Sequence, residues 1–156
     1  MAGKGAVLAS RILNEISSLA VVVARVESAW KAAAANNDEF YFDSVALNIH
    51  SFYSGLERVF EKISSAVDGS LPQGLNWHQE LLNQMALEIP DVRPAVISEK
   101  TRQQLDTYRG FRHVVRNVYT YHISPDKMKP LAKAIRPVFK QVEKELTAFS
   151  RFIQSK

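Results

Sequence analysis

From Ala6 to about Asn36 no proline or glycine interrupts the chain, and Ile12, Ile16, Leu19, Val23, Val26 and Trp30 recur every three or four residues. That period marks one face of an α-helix, and a helix of this length has to bury its apolar stripe against a neighbour. The polar break Asn36-Asn37-Asp38 follows, with Asp38 placed to cap a second helix. In that helix Phe42, Val45, Ile49, Phe52, Leu56, Val59 and Ile63 carry the same spacing on to Gly69. Two long helices joined by so few residues are antiparallel neighbours, which commits the chain to a helical bundle.

The remaining segments fit that frame. Ser70-Leu71-Pro72-Gln73-Gly74 reads as a loop, and Asn76 as the cap of a shorter helix through Glu88 with Trp77, Leu81, Leu82 and Met85 inward. Ile89 to Pro94 is a connector, because each proline drives its predecessor to extended geometry. Ser98 caps a helix expected from about Glu99 to Tyr121, with Gly110 inside it. Ser124-Pro125 opens the last helix, which Pro130 and Pro137 are expected to delay or kink. Its stripe is Ile135, Val138, Val142, Leu146, Phe149 and Ile153. No segment alternates with period two and no repeat is visible, so the expected fold is an all-α antiparallel bundle of about five helices, one domain over residues 1–156.

A chain of 156 residues is long enough for one core. With no cysteine, disulfides, thiolate metal sites and cysteine nucleophiles are excluded, and a reducing compartment is allowed. The longest apolar run near the start, Leu19 to Ala24, is far short of the roughly 20 residues that span a bilayer. The first ten residues also lack the pattern of a signal peptide. A cytoplasmic protein without a membrane partner is the expectation. The net charge of +4 conceals an asymmetry: residues 1–92 hold 6 basic and 11 acidic side chains, residues 93–156 hold 14 and 5. A basic half suits a polyanion such as RNA, or an acidic protein partner; solvated helix faces account for it equally well.

The chemistry-bearing residues concentrate between Arg102 and His122. At about 100° per residue, Leu105, Tyr108, Phe111, Val115, Val118 and His122 share one side of a helix, Arg102, Arg109, His113 and Arg116 the other, with Arg112 and Tyr119 on the border. Arg109 then stacks over His113, Arg112 over Arg116, and His113 over Asn117. Cations on adjacent turns repel unless something anionic lies between them. A phosphodiester gripped by planar guanidinium groups is one solution, and carboxylates from the acidic first half are another. No metal site is expected, since the four histidines show neither His-x-x-x-His nor Glu-x-x-His spacing. Glycine-rich phosphate loops and Gly-x-Ser-x-Gly elbows are absent, and no cofactor is implied.

The run Arg112 to Tyr119 resembles the Arg-x-x-x-x-His-x-Tyr motif of HEPN-domain proteins, in particular the HepT-like toxins of HepT–MNT toxin–antitoxin pairs. Trp77-His78 with Leu81-Leu82 and Met85, Arg93-Pro94 before Ser98, and Tyr108 to His113 resemble the pattern of a HepT-like subfamily. The likeness covers residues 76–122 by motif and the whole chain by helix order. It implies a metal-independent ribonuclease working as a homodimer, with two motif copies facing across an RNA cleft. The motif arginine would hold the scissile phosphate while the histidine assists attack by the ribose 2′-OH. The motif tyrosine, here Tyr119, would be AMPylated by an MNT-type nucleotidyltransferase antitoxin.

The chain departs from the motif where it matters most. Aligning Arg112 and Tyr119 puts Asn117 in the histidine's place, and an amide cannot take up a proton near neutral pH. A second register, Arg116 with His122, restores the imidazole but leaves no tyrosine two residues on; alternatively His113, one turn before Asn117, supplies it. The catalytic candidates are therefore Arg112, His113, Arg116, Asn117 and His122, with Arg109, Arg112 and Arg116 for RNA binding and Tyr119 for modification. Two functions follow: a toxin-type ribonuclease neutralised by a nucleotidyltransferase, or a catalytically degenerate helical module that binds RNA or an acidic partner.

Overall fold

The computed structural model describes residues 3–156. Five α-helices build the expected all-α bundle: α1 (Lys4–Asn36), α2 (Glu39–Ile63), α3 (Trp77–Met85), α4 (Glu99–Asn117) and α5 (Pro125–Gln154). A π-helical turn, Ser64–Asp68, prolongs α2, and a 3-10 turn, Thr120–His122, precedes α5. Among the described residues there is no strand, only an isolated bridge between Ile89 and Arg93.

Helix α1 packs along α2 and α5, with Ile12, Leu19, Val23 and Val26 in the core. By length and composition α1 could cross a bilayer, which its short uninterrupted apolar run did not suggest. It ends at Asn37, whose left-handed conformation (φ 48°) lets its N–H reach the Ala33 carbonyl. Asp38 then caps α2 by accepting the Phe40 N–H at 2.9 Å. Ser98 and Ser124 cap α4 and α5 as expected, accepting from Thr101 (3.1 Å) and Asp126 (3.2 Å). Glu145 of α5 also accepts the Ser98 N–H and the Thr101 hydroxyl, tying the start of α4 to α5.

Helix ends depart from expectation for identifiable reasons. Asn76 occupies the first cap position of α3 without a side-chain capping bond. That helix stops at Met85, not Glu88, because the returning chain donates the Val96 and Ile97 N–H groups to the Met85 carbonyl (2.9 and 3.2 Å). Helix α5 starts at Pro125 and continues through Pro130 and Pro137, so neither delays it. Both prolines lie on its exposed side, where the carbonyls they leave unbonded face water. Helix α4, expected to Tyr121, ends at Asn117: Val118 is extended (φ −132°, ψ 160°), and the Asn117 amide donates to the His113 carbonyl at 2.7 Å.

Gly110, inside α4, would meet nothing within 4 Å if it carried a Cβ. Close approaches are at Gly5, where a Cβ would fall on the Ile153 carbonyl and the first turn of α1 leans on the last turn of α5, and at Gly55, where it would meet Leu19 and Glu15 of α1 at 2.8 Å.

Candidate functional site

Three helices converge on one buried carboxylate. Along α2, His50, Ser54 and Glu57 occupy successive turns of the side that meets α4. The Glu57 side chain is only 4% exposed. Its Oε2 lies 2.7 Å from His78 Nδ1 on α3, and its Oε1 lies 3.5 Å from Arg112 Nη2 on α4. Arg112 is further held by its Nε, which donates to the Ser54 hydroxyl at 2.9 Å. The guanidinium is therefore aimed by α2, while most of its donors remain unmatched by protein acceptors.

Above this carboxylate opens a cleft of about 320 Å³, lined by Leu75, His78, Arg109, Arg112, His113, Arg116 and Asn117. Two cations of the lining have carboxylate partners: Arg112 with Glu57, and Arg109 with Asp106 one turn earlier (2.7 Å). Arg116 forms no ion pair among the described residues. The carboxylate pairing allowed by the sequence thus holds for Arg112, is met within α4 for Arg109, and fails for Arg116. The excess of positive charge is felt by His50, which is held below its ordinary range first by burial and then by Arg112 and Arg116, with Glu57 opposing. Tyr53, buried one turn before Glu57, is held well above the ordinary phenol range by burial and by that carboxylate.

Of the residues singled out in the sequence, Arg109, Arg112, His113, Arg116 and Asn117 meet in the cleft. Asn117 turns its amide back onto its own helix, bonding the His113 carbonyl and lying 3.4 Å from His113 Nδ1. Tyr119 and His122 do not line the cleft. Because α4 ends early, Tyr119 is not two helical turns above Arg112. It stands 71% exposed, stacked on Tyr121 with ring centroids 5.8 Å apart. His122 is exposed in the 3-10 turn against Tyr121 (4.2 Å), so the second register has Arg116 in the cleft lining and His122 outside it, and Val118 and His122 are not part of a buried α4 face.

Sequence reasoning missed Ser54, Glu57 and the role of His78. A signal existed: Ser54 and Glu57 interrupt the apolar pattern of the second helix at adjacent turns, and His78 falls inside the Trp77-His78 block. No cluster of three or more histidine or acidic side chains able to share a metal ion occurs among the described residues.

The HepT-like protein family profile matches residues 44–153, which include every residue that lines the cleft. No curated protein and no solved structure matches the chain. With the family match covering most of the sequence, over a five-helix bundle whose motif helix lines a basic cleft, the chain belongs to the HepT-like family of HEPN-domain proteins.

Proposed function

We propose that this protein is the toxin of a toxin–antitoxin pair, a cytoplasmic, metal-independent endoribonuclease. The observation that carries the reading is the cleft itself: Arg109, Arg112 and Arg116 stand beside two imidazoles, His78 and His113, with one carboxylate beneath them. Arg112, pre-aimed by Ser54 and Glu57, and the unpaired Arg116 hold the scissile phosphate. An imidazole of the cleft takes the proton of the ribose 2′-OH, the oxygen attacks phosphorus, and the bond to the 5′-oxygen breaks as that oxygen receives a proton from the other imidazole. The products are a 2′,3′-cyclic phosphate and a 5′-hydroxyl. His113, on the motif helix one turn before Asn117, takes part in these proton transfers.

A homodimer pairing α4 with its twin near Gly110 doubles the cleft, and the open space beside that glycine leaves room for a partner helix. An MNT-type nucleotidyltransferase neutralises the toxin by AMPylating Tyr119, whose exposed hydroxyl is accessible and whose added phosphate opposes RNA electrostatically. Tyr121, 75% exposed, is the competing acceptor. Peptide mass spectrometry after co-expression with the nucleotidyltransferase should find adenylate on Tyr119, and a Tyr119→Phe protein that still gains it refutes the assignment.

The test of the activity is cleavage of single-stranded RNA by the purified protein, with variants at Arg112, Asn117 and His122. Arg112→Ala should lower cleavage by about 100-fold or more while His122→Ala leaves it within about twofold, since His122 lies outside the cleft lining. Equal and negligible effects of all three would sink the catalytic reading. One observation favours the degenerate module binding RNA or an acidic partner: the Asn117 amide is engaged with its own helix. RNA binding without cleavage would select that reading.

A further inference from the structure

A second imidazole of the cleft stands on a different helix from position 117. His78 is half-buried on α3, its ring tilted against Trp77 with centroids 3.6 Å apart, and it lines the cleft together with Arg109, Arg112 and Arg116. Its Nδ1 is committed to Glu57 at 2.7 Å, whereas its Nε2 has no hydrogen-bond partner among the described residues. An ionised carboxylate only accepts hydrogen bonds, so the ring nitrogen facing Glu57 is the one that carries the hydrogen. In the neutral ring Nε2 is then the basic nitrogen, held in a fixed orientation by a buried acid in the way a catalytic imidazole is oriented by its carboxylate.

We infer that His78 is a catalytic residue of this cleft and that Glu57 is the positioning residue that sets its tautomer. The inference rests on the ribonuclease reading above and deepens it. His78 Nε2 takes the proton of the ribose 2′-OH as the oxygen attacks the phosphorus held by Arg112 and Arg116. The P–O5′ bond breaks, and the departing 5′-oxygen receives a proton from the imidazolium of His113. One proton has moved on balance from the 2′-oxygen to the 5′-oxygen, and exchange with water returns both rings to their starting states. The same carboxylate that orients His78 also touches Arg112, so the base and the phosphate-holding group are set by one side chain.

Three measurements on the full chain test this. Nitrogen-15 NMR of the free protein should find the neutral His78 ring carrying its hydrogen on Nδ1; hydrogen on Nε2 overturns the role of Glu57. Titration with an all-2′-deoxy oligonucleotide, which binds without being cleaved, should move the His78 Nε2 resonance. A saturated complex that leaves it unmoved, or no binding at all, overturns the contact with the phosphodiester. In the third, His78→Ala should cut RNA cleavage by about 100-fold or more with helicity retained, and added free imidazole should restore part of it. Wild-type-like cleavage in both His78→Ala and His78→Gln, or a loss that imidazole cannot rescue, overturns the inference while leaving the ribonuclease reading standing. A wild-type protein that shifts His78 on binding yet cleaves no RNA fails the ribonuclease reading and keeps only the phosphodiester contact.

Discussion

Two buried carboxylates among the described residues each face an arginine, and they have opposite characters. Asp68, closing the π-helical turn after α2, meets Arg93 through two bonds (Nε–Oδ1 2.5 Å, Nη2–Oδ2 2.8 Å), with side chains 2% and 0% exposed. Arg93 gives its remaining donors to the carbonyls of Leu87, Pro94 and Gln84, so all five N–H groups are matched. Gln84 also donates to Asp68 at 2.7 Å. Glu57 is as deeply buried, but its contact with Arg112 is single and longer, its other partner is a histidine open to the cleft, and Arg112 keeps donors free. Where every valence is matched inside the protein, a buried ion pair is architecture; where valences remain and point into a cleft, it is a site. Asp68–Arg93 pins the loop that follows α3, whereas Glu57 links α3 and α4 beneath the cleft and leaves Arg112 donors facing it.

The largest expected effect breaks the first pair. Arg93→Ala should cost about 3–5 kcal/mol of stability, because it leaves Asp68 buried and unpaired and several carbonyls without donors. Urea denaturation measures this directly. Arg112→Ala should cost only about 1–2 kcal/mol in the same experiment, because Glu57 keeps His78 as a partner. It should nonetheless lower RNA cleavage by about 100-fold or more, as removal of a donor aimed at a reacting phosphate does. If the two variants are equally destabilised, the distinction between clamp and site is lost.

Gly5→Ala sharpens the comparison from outside both pairs. The added methyl group meets the Ile153 carbonyl, and the ends of α1 and α5 have to separate, a cost of about 1–3 kcal/mol visible in thermal melting with cleavage intact. Gly110→Ala should be neutral or slightly stabilising in the monomer, since a helix-interior glycine costs up to about 1 kcal/mol relative to alanine and nothing lies within 4 Å of the new atom. A loss of dimer in that variant would place the interface at this residue.

The smallest effect is a pH dependence from His50. Its folded-state affinity for protons is depressed from the model-compound value of 6.5 by burial and by Arg112 and Arg116. The unfolded chain therefore binds this proton first as pH falls below about 6.5, and stability declines through that window down to the folded-state titration. His50→Gln should flatten the decline. Arg116→Gln should move the His50 titration, followed by NMR, upward toward its ordinary range. An unmoved titration would mean that burial and Arg112, not Arg116, are responsible.

Most of the bundle was legible because helix period, caps and breakers are local. The spacing from Ile12 to Trp30, the caps Asp38, Ser98 and Ser124, and Pro125 at the head of α5 each act within a few residues of themselves. The ends of α3 and α4 were less legible. One depends on Val96 and Ile97 returning to the Met85 carbonyl, and the other on a side chain turning back at Asn117. The site was half legible: the arginines, His113 and Asn117 sit on one helix, so their proximity follows from spacing.

What the sequence determined by itself is the class of fold, the basic motif helix and the absence of an imidazole at position 117. Tertiary structure alone decided that Glu57, His78 and Arg112 meet, that Tyr119 and His122 leave the cleft, and that Gly5 and Gly55, not Gly110, mark tight helix contacts. The reason is range. Periodicity and capping are set by neighbours in the chain, whereas Glu57 lies 21 residues from His78 and 55 from Arg112, and only the packing of α2 against α3 and α4 puts one carboxylate between them.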